Sequence, residues 1–283
     1  MVVSPSPASV IITPFHPLPA TVHPVSAKPA VDSGVAELAI APPDRSTTHQ
    51  DDASQEATRQ DDDRSPVSLG WMFVAGIFLV SGPVFIEAPL VRSLPILCTA
   101  LTLLWSILGA QWLDSPKWRP WGDLLIGFSW SWLAGSLYWG WLRWEPTVHL
   151  PMEAIALPLA LIAVRSSWGR IGSLFYLGSL LGTAITDGYF YCVDLMPCWK
   201  AAINAESADL HTVAPILHTA LAKVHTPMGL SLAALLAGIL LIAGLGTGWW
   251  ARRSHDAGWM VFSAALLGTL FVDGLFWLSA LLA

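Results

Sequence analysis

Long apolar runs separated by short polar segments dominate the chain from Leu69 onward. A helix needs about 20 apolar residues to cross a hydrocarbon core about 30 Å thick, and the runs are close to this length. The chain therefore predicts an all-α polytopic transmembrane helical bundle with about seven spans. The predicted spans are residues 69–90, 94–113, 121–142, 148–164, 171–193, 228–250 and 258–282.

The fourth run is the weakest of the seven, because it is short and contains both Glu153 and Pro158. Proline removes a helix hydrogen bond, and a carboxylate is costly in lipid. If this run forms a re-entrant helix instead of a span, the bundle has six spans.

Two glycine pairs in the apolar runs have G-x-x-x-G spacing: Gly178 with Gly182, and Gly244 with Gly248. Small residues at this spacing let two helices approach closely in a membrane. We expect both pairs to lie at helix contacts.

Residues 1–65 form a separate segment that is rich in Pro, Ala, Ser and Thr and contains nine prolines. Its apolar residues are scattered, so little burial is available to offset the entropy of ordering the chain. We expect a disordered acidic tail, either dispensable or used for regulation or docking. Residues 66–283 are predicted to form the transmembrane domain.

The composition agrees with a membrane protein, since 54% of the residues are hydrophobic, only 12% are charged and the mean hydropathy is +0.57. Soluble domains have about 25% charged residues. Residues 1–65 carry four basic and nine acidic groups, net −5, and the remainder carries ten and eleven, net −1. The acidity therefore belongs to the tail, and the absence of a basic patch argues against nucleic acid as a partner.

The basic residues predict the orientation, because cytoplasmic loops of membrane proteins are enriched in Lys and Arg. With seven spans, the N-terminal side carries seven basic residues and the opposite side four. We therefore expect a cytoplasmic N terminus and an outer or lumenal C terminus. The N-terminal side has Arg64, Lys117, Arg119, Arg165, Arg170, Arg252 and Arg253, and the opposite side has Arg92, Arg143, Lys200 and Lys223.

The longest loop between spans, residues 194–227, falls on the outer side in this topology. It contains heptads that place His211, His218 and His225 on nearly one face of a helix. Neighbouring histidines are then about 10 Å apart at 1.5 Å per residue, which is too far for two of them to bind one metal ion. The pattern favours an interfacial amphipathic helix, and a histidine pH sensor is the alternative.

Carboxylates interrupt or border the apolar runs at similar depth in the outer half of the predicted bundle: Glu87, Glu153, Asp187, Asp194 and Asp273. A carboxylate within a membrane is expensive and is by default a functional hypothesis. Glu87, Glu153, Asp187 and Asp273, with Arg143 as their predicted cationic partner, form the candidate cation or proton site. The alternative is that these acids only make structural pairs or lie at the interface.

No metal site is predicted. His149 and Glu153 are four residues apart and could share a cation on one helix face, but two ligands do not make a metal site. Cys98 is expected to be a packed thiol, and Cys192 and Cys198 could pair if their side of the membrane is oxidising. The chain has no catalytic triad, phosphate loop or zinc spacing, so we predict neither an enzyme nor a cofactor.

Six aromatic residues within fifteen positions lie in and just after the third run: Trp130, Trp132, Tyr138, Trp139, Trp141 and Trp144. Anchoring at the membrane surface and helix packing explain most of them. Trp130 and Trp132 lie too deep for one outer belt, which leaves room for contact with a pigment, a quinone or a lipid.

Three stretches carry a family resemblance: SWSWLAGSLYWGWLRWEP at 129–146, FYLGSLLGTAITDGYFYCVDLMP at 175–197 and APLVRSLP at 88–95. They resemble a family of cyanobacterial integral membrane proteins of unknown function over residues 69–283. The resemblance implies a cyanobacterial thylakoid or plasma membrane. It implies no activity and transfers no site residue.

Two functions follow as hypotheses. The first is a non-enzymatic accessory or assembly factor of a membrane complex, with the lipid bilayer and other subunits or pigments as partners. The second is a small transporter or channel that uses the carboxylates for a cation or proton. Acids that converge inside the bundle favour transport, whereas dispersed acids with a broad apolar aromatic face favour the accessory role.

Overall fold

The computed structural model describes residues 68–166, 169–205 and 210–282, with side chains of 210–212 excepted. The predicted disordered tail, residues 1–65, lies outside these ranges. Within them every regular element is a helix, which confirms the all-α prediction. The helices are α1 (Leu69–Ser93), α2 (Pro95–Leu113), α3 (Arg119–Leu137), α4 (His149–Glu153), α5 (Leu157–Ala163), α6 (Arg170–Cys192), α7 (Met196–Asn204), α8 (Leu210–Val224), α9 (Pro227–Ser254) and α10 (Ala257–Leu282).

Two short segments of other helical types lie between α3 and α4. The π-helical turn Tyr138–Leu142 continues α3, and the 3₁₀ turn Pro146–Val148 leads into α4. Several helices begin with proline in the first turn, where its missing N–H costs nothing and its fixed φ suits a helix. These are α2, α3, α5, α7 and α9.

The surface of the described chain is largely apolar, as expected of a membrane protein. Ile96 of α2 and Ile242 of α9 are 78% and 74% exposed, and many other large apolar side chains are also exposed. A soluble protein rarely leaves such extensive apolar surface in contact with water. The exposed apolar residues of α2 and α9 are therefore suited to contact lipid.

Five helical segments of the described chain are long and apolar enough to cross a membrane: Leu69–Ser93, Pro95–Leu113, Pro146–Ala163, Pro227–Ser254 and Ala257–Leu282. They include Pro146–Ala163, which corresponds to the fourth predicted span, the one with the weakest sequence pattern. By length and composition alone, α3 and α6 are not, so the predicted count of about seven is not reached on these grounds.

Four helices form the centre of the bundle. A buried apolar cluster combines side chains from α1, α3, α6 and α10: Met72, Leu124, Phe128, Trp132, Phe175, Val261 and Ala265. Helix α2 packs outside α3, and α9 packs outside α10. Trp132 Nε1 donates a hydrogen bond to the carbonyl of the buried Cys98, 2.8 Å away, which ties α3 to α2.

The four central helices run parallel. Gly76, near the start of α1, faces Val261 and Ala264, near the start of α10. Asp123 near the start of α3 bonds to the first turn of α6, and further along Trp130 of α3 contacts Tyr176 of α6. All four helices therefore begin at one end of the bundle, the Leu69 end, and finish at the other, the Ser93 end.

This direction constrains the chain between α3 and α6. Since both helices begin at the Leu69 end, residues 143–169 must return there from the Ser93 end. The return includes α4 and α5, which are separated by a break. Tyr176 supplies hydrogen-bond partners for the backbone groups at the break. Its hydroxyl donates to the carbonyl of Glu153 and accepts from the N–H of Ala156 at 3.2 Å.

Glycines allow the closest helix contacts. Gly178 and Gly182 of α6 face α10 at Ala265 and Thr269, and Gly244 and Gly248 of α9 face α10 at Leu267 and Ser263. Both G-x-x-x-G pairs thus lie at helix contacts, on one shared partner, α10. The tightest contact is elsewhere: a Cβ on Gly127 of α3 would overlap the backbone of Gly172 of α6.

Gly127→Ala tests this contact. The added methyl meets backbone, which cannot rotate away as a side chain can, so we expect a loss of stability of about 3 kcal/mol, near the upper range for overpacking. Gly246→Ala in α9 is the matched control, because nothing lies within 4 Å of its added Cβ. Thermal unfolding of the purified protein in detergent measures both. Equal melting temperatures for the two variants would contradict the described packing.

Asp256, in the connection between α9 and α10, makes the stability of the fold depend on pH. The Asp256 carboxylate accepts bonds from Arg170 Nη1 and Nη2 at 2.9 and 2.8 Å and from the N–H groups of Gly258 and Trp259. Burial acts to raise the pKa of Asp256, but these bonds outweigh it, so the pKa lies below its ordinary value of 3.8. A depressed pKa stabilises the fold above the unfolded value, and this contribution is lost as pH falls through the folded value.

We therefore expect Asp256→Ala to reduce the free energy of unfolding at pH 7 by about 1 kcal/mol or more for the lost helix cap, and so to lower the melting temperature. The difference from wild type should shrink as pH falls below 3.8, the ordinary pKa. The exposed Asp114 at the same end provides Asp114→Ala as control. A difference that stays constant down to the lowest accessible pH would show that the charge of Asp256 is not responsible.

Candidate functional site

A cluster of ionisable side chains lies inside the bundle toward the Ser93 end. It comprises Glu87 of α1, His149 and Glu153 of α4, and Asp187 of α6. Glu87 and Asp187 are buried, with 7% and 3% of their surface exposed. We call these four residues the histidine–acid cluster.

His149 is the link between two of the acids. Its Nδ1 lies 2.9 Å from Asp187 Oδ2 and 3.1 Å from Oδ1, while its Nε2 lies 3.9 Å from Glu153 Oε1. An ionised carboxylate only accepts hydrogen bonds, so an ionised Asp187 requires a proton on Nδ1. The second ring nitrogen then faces Glu153.

Local structure places the imidazole there. The π-helical turn ends at Leu142, and the 3₁₀ turn begins at the buried Pro146 and leads directly into α4. His149 and Glu153 are one helical turn apart, so both side chains lie on the same face of α4. That face is turned toward Asp187.

Aromatic rings enclose His149. The centroid of its ring is 4.5 Å from that of Tyr138, 5.2 Å from Trp199 and 6.2 Å from Trp139. The rings pack tilted or edge-on around the imidazole and leave only 13% of the His149 side chain exposed.

Glu87 joins the cluster from α1. Its Oε1 accepts a hydrogen bond of 2.8 Å from the hydroxyl of the buried Ser136, and it lies within electrostatic range of Glu153. Gly135 makes room for it, since a Cβ at that position would come within 3.3 Å of Glu87 Oε1. Both residues are on α3, so α1 and α3 share this contact.

Asp273 of α10 extends the cluster. Its Oδ2 accepts a hydrogen bond of 2.7 Å from the hydroxyl of Thr186, and it lies within electrostatic range of Asp187. Of the four predicted acids, Glu153 and Asp187 thus share His149, whereas Glu87 and Asp273 each accept a hydrogen bond from a hydroxyl of a neighbouring helix.

Arg143, the predicted cationic partner of the acids, lies just after the π-helical turn. Its Nη1 donates to the carbonyl of Trp139 at 3.1 Å, and its guanidinium lies over the ring of Trp144 at 4.2 Å. The partners observed for Asp187, Glu87 and Asp273 are His149, Ser136 and Thr186.

The histidines predicted for pH sensing are separate from the cluster. His218 lies in α8 and His225 just after it, and both are exposed. The side chain of His211 lies outside the described residues. Cys192 is exposed and Cys198 half-buried, and both are free thiols.

The two deep tryptophans are occupied by protein contacts. Trp132 packs with Trp105 and Phe128 in the core, and Trp130 meets Tyr176 edge to face at 5.9 Å. Trp132 is buried by these contacts, whereas Trp130 stays partly exposed, and contact with a pigment, a quinone or a lipid stays a prediction.

Sequence reasoning missed the role of His149 as a bridge, as well as Tyr138, Ser136 and Asp123. The spacing of His149 and Glu153 was the available signal for the first. No sequence signal joins His149 to Asp187, because 38 residues separate them. Among the described residues, no group of three or more His, Cys, Asp and Glu side chains is arranged to hold a metal ion.

The arrangement is suited to moving a proton. An imidazole between two carboxyl groups can accept a proton on one nitrogen and release one from the other, and histidine titrates close to neutral pH. Since the ring already fills the space between Asp187 and Glu153, a metal cation would have to displace it.

Asp187→Leu and Asp187→Asn separate hydrogen bonding from charge. Leucine leaves the buried imidazole N–H without its acceptor, at a cost of about 2 kcal/mol, whereas asparagine keeps one acceptor oxygen. We expect the leucine variant to unfold at a clearly lower temperature than the asparagine variant. If both unfold together, the contact between His149 and Asp187 does not stabilise the fold.

Comparison with known proteins gives the family but not an activity. No curated protein matches the chain, and no solved structure matches it. The model of one protein family of unknown function, DUF3120, matches residues 76–281, a range that includes every residue of the histidine–acid cluster. The chain belongs to the DUF3120 family.

Proposed function

We propose that the protein is a non-enzymatic membrane transporter or channel that moves protons through the histidine–acid cluster. The observation that carries the proposal is the position of His149, with Asp187 at 2.9 Å on one side and Glu153 at 3.9 Å on the other. The two acids contact one imidazole inside the bundle, and Asp273 bonds to Thr186, the residue that precedes Asp187.

The energetic argument is that ionisable groups inside a membrane protein are expensive. An unpaired charge or hydrogen-bonding group in an apolar medium costs several kcal/mol, so such groups mark ion pathways and proton relays. The pair of His149 and Asp187 would be enough to join α4 to α6. The bundle holds four acids and one histidine at similar depth, which is more than this structural role requires. A relay of protons uses all of them.

The proposal includes seven crossings of the membrane, with the N terminus cytoplasmic. The parallel direction of α3 and α6 supports a full return of the chain through α4 and α5. Helices surrounded by protein need not be as apolar as helices that face lipid. Buried polar and small residues account for the lower hydropathy of α3 and α6, for example Asp123 and Ser129 in α3 and Ser173 in α6.

In this topology the Ser93 end is the outer or lumenal side, and the cluster lies in the half of the bundle nearer to it. The excess of basic residues on the opposite side supports this orientation. The family resemblance adds a cyanobacterial thylakoid or plasma membrane to the proposal.

The accessory hypothesis has weaker support. Its distinguishing feature is a broad apolar aromatic face, but the exposed tryptophans lie near the ends of helices, as in membrane-surface belts. They are Trp71, Trp112, Trp118, Trp141, Trp144, Trp249, Trp250 and Trp277. Their positions are explained by anchoring to lipid without a partner protein.

The experiment is a flux assay on the purified full-length chain in liposomes that contain a pH-sensitive dye. A potassium gradient with valinomycin sets an inside-negative potential, and the initial rate of internal acidification reports proton entry. We expect wild type to acidify the liposomes faster than protein-free liposomes do. Asp187→Asn and His149→Gln should slow this by roughly tenfold or more, as expected when a proton-transfer group is removed.

Asp194→Asn is the matched control. It makes the same chemical change at the Ser93 end, but the Asp194 side chain is 77% exposed and pairs with Lys223 outside the cluster. We expect its flux to equal that of wild type. Wild-type flux no greater than that of empty liposomes would refute proton transport, and normal flux with folded Asp187→Asn would refute the assigned site.

A further inference from the structure

Helix α7 brings a tryptophan against the imidazole from outside the bundle. Trp199 meets the ring of His149 edge to face, with centroids 5.2 Å apart. It also stacks on Trp139 at 6.5 Å and contacts Phe190 at 5.6 Å. Trp199 therefore lies among the aromatic rings that enclose His149, and it is the ring that comes from α7.

The next residue ties α7 to the segment that precedes α4. Lys200 Nζ lies 2.9 Å from Glu145 Oε2, and the two side chains are 51% and 48% exposed. Glu145 comes directly before the 3₁₀ turn that leads to His149. Two successive residues of α7 thus hold it over the start of α4, one by an aromatic contact and one by an ion pair.

The rest of α7 packs mainly against α8 and the 3₁₀ turn, not against the central helices. It has nine residues, and none of them is fully buried. An ion pair between half-exposed side chains is weak, because water screens both charges. Segments with few buried contacts open locally at low cost, while the rest of the fold stays intact. Helix α7 can therefore separate from the bundle without disturbing the central helices.

We propose that α7 is a movable cover over His149. Trp199 is a positioning residue that holds the imidazole between Asp187 and Glu153 and keeps water away from it, and the Lys200–Glu145 pair is the latch of the cover. The role of the cover in proton movement rests on the proposed function, whereas the cover itself rests only on these contacts.

The other role for α7 is a surface anchor, in which Trp199 would contact lipid headgroups. A tryptophan used in this way would be replaceable without any effect on His149. The accessibility of the imidazole therefore distinguishes a cover from an anchor, and it can be measured without a transport assay.

The experiment is modification of histidines by diethylpyrocarbonate in the full-length protein in nanodiscs, with peptide mass spectrometry to give a rate for each histidine. In wild type we expect His149 to react roughly tenfold more slowly than the exposed His218 and His225, because reaction requires local opening. Trp199→Ala should bring the rate of His149 close to theirs. Trp199→Phe should keep it slow, because a ring remains.

Trp141→Ala is the control for loss of an exposed tryptophan at the same end, and it should leave the His149 rate unchanged. The latch is tested by charge exchange. Lys200→Glu should accelerate modification of His149, and the double variant Glu145→Lys with Lys200→Glu should restore the slow rate. The rates of His218 and His225 serve in each variant as internal references for the activity of the reagent, because both side chains are exposed.

Fast modification of His149 in wild type, or no acceleration in Trp199→Ala, would overturn the cover. Failure of the double variant to restore protection would remove the latch from the proposal. Measuring the same variants in the flux assay distinguishes failure of the cover from failure of the proposed proton transport. A protected His149 in a protein without proton flux leaves the cover standing and refutes transport.

Discussion

The contact between the start of α6 and α3 sets the arrangement of the central helices. Asp123 accepts hydrogen bonds from the N–H groups of Ile171 and Gly172 at 3.0 and 3.1 Å, so one helix supplies the cap of another. The first N–H groups of a helix have no partner within it, and water is scarce near lipid. Gly127 permits the approach. With this end fixed, parallel helices of similar length bring Tyr138 and Asp187 to one level, where His149 joins them.

The sequence was sufficient for some of this arrangement and insufficient for the rest. Apolar length alone predicts where the helices lie, and the depth of Glu87, Glu153, Asp187 and Asp273 follows from counting along them. The partner of each acid does not follow, because it depends on helix rotation and on neighbours distant in sequence. Depth along the helices suggests Arg143 as a partner for the acids, but it cannot predict that Asp187 contacts His149, because other residues of α4 lie at a similar depth.

The helices divide into two kinds according to their surroundings. Helices α2 and α9 present apolar side chains outward and have few buried residues. Helices α3 and α6 are packed on several sides and carry much of the buried polar chemistry. A hydropathy criterion detects the first kind and passes over the second, although the second determines how the site is built. The least apolar helices are thus the most informative about function.

The parallel direction of α1, α3, α6 and α10 has an electrostatic consequence. Each helix has a macrodipole equivalent to about half a negative charge at its C-terminal end. The negative ends of these four helices lie at the Ser93 end, where α2, α4 and α9 begin and their positive ends cancel part of the field. At the Leu69 end the positive poles of α6 and α10 meet the carboxylates of Asp123 and Asp256, so the backbone field stabilises both charges there.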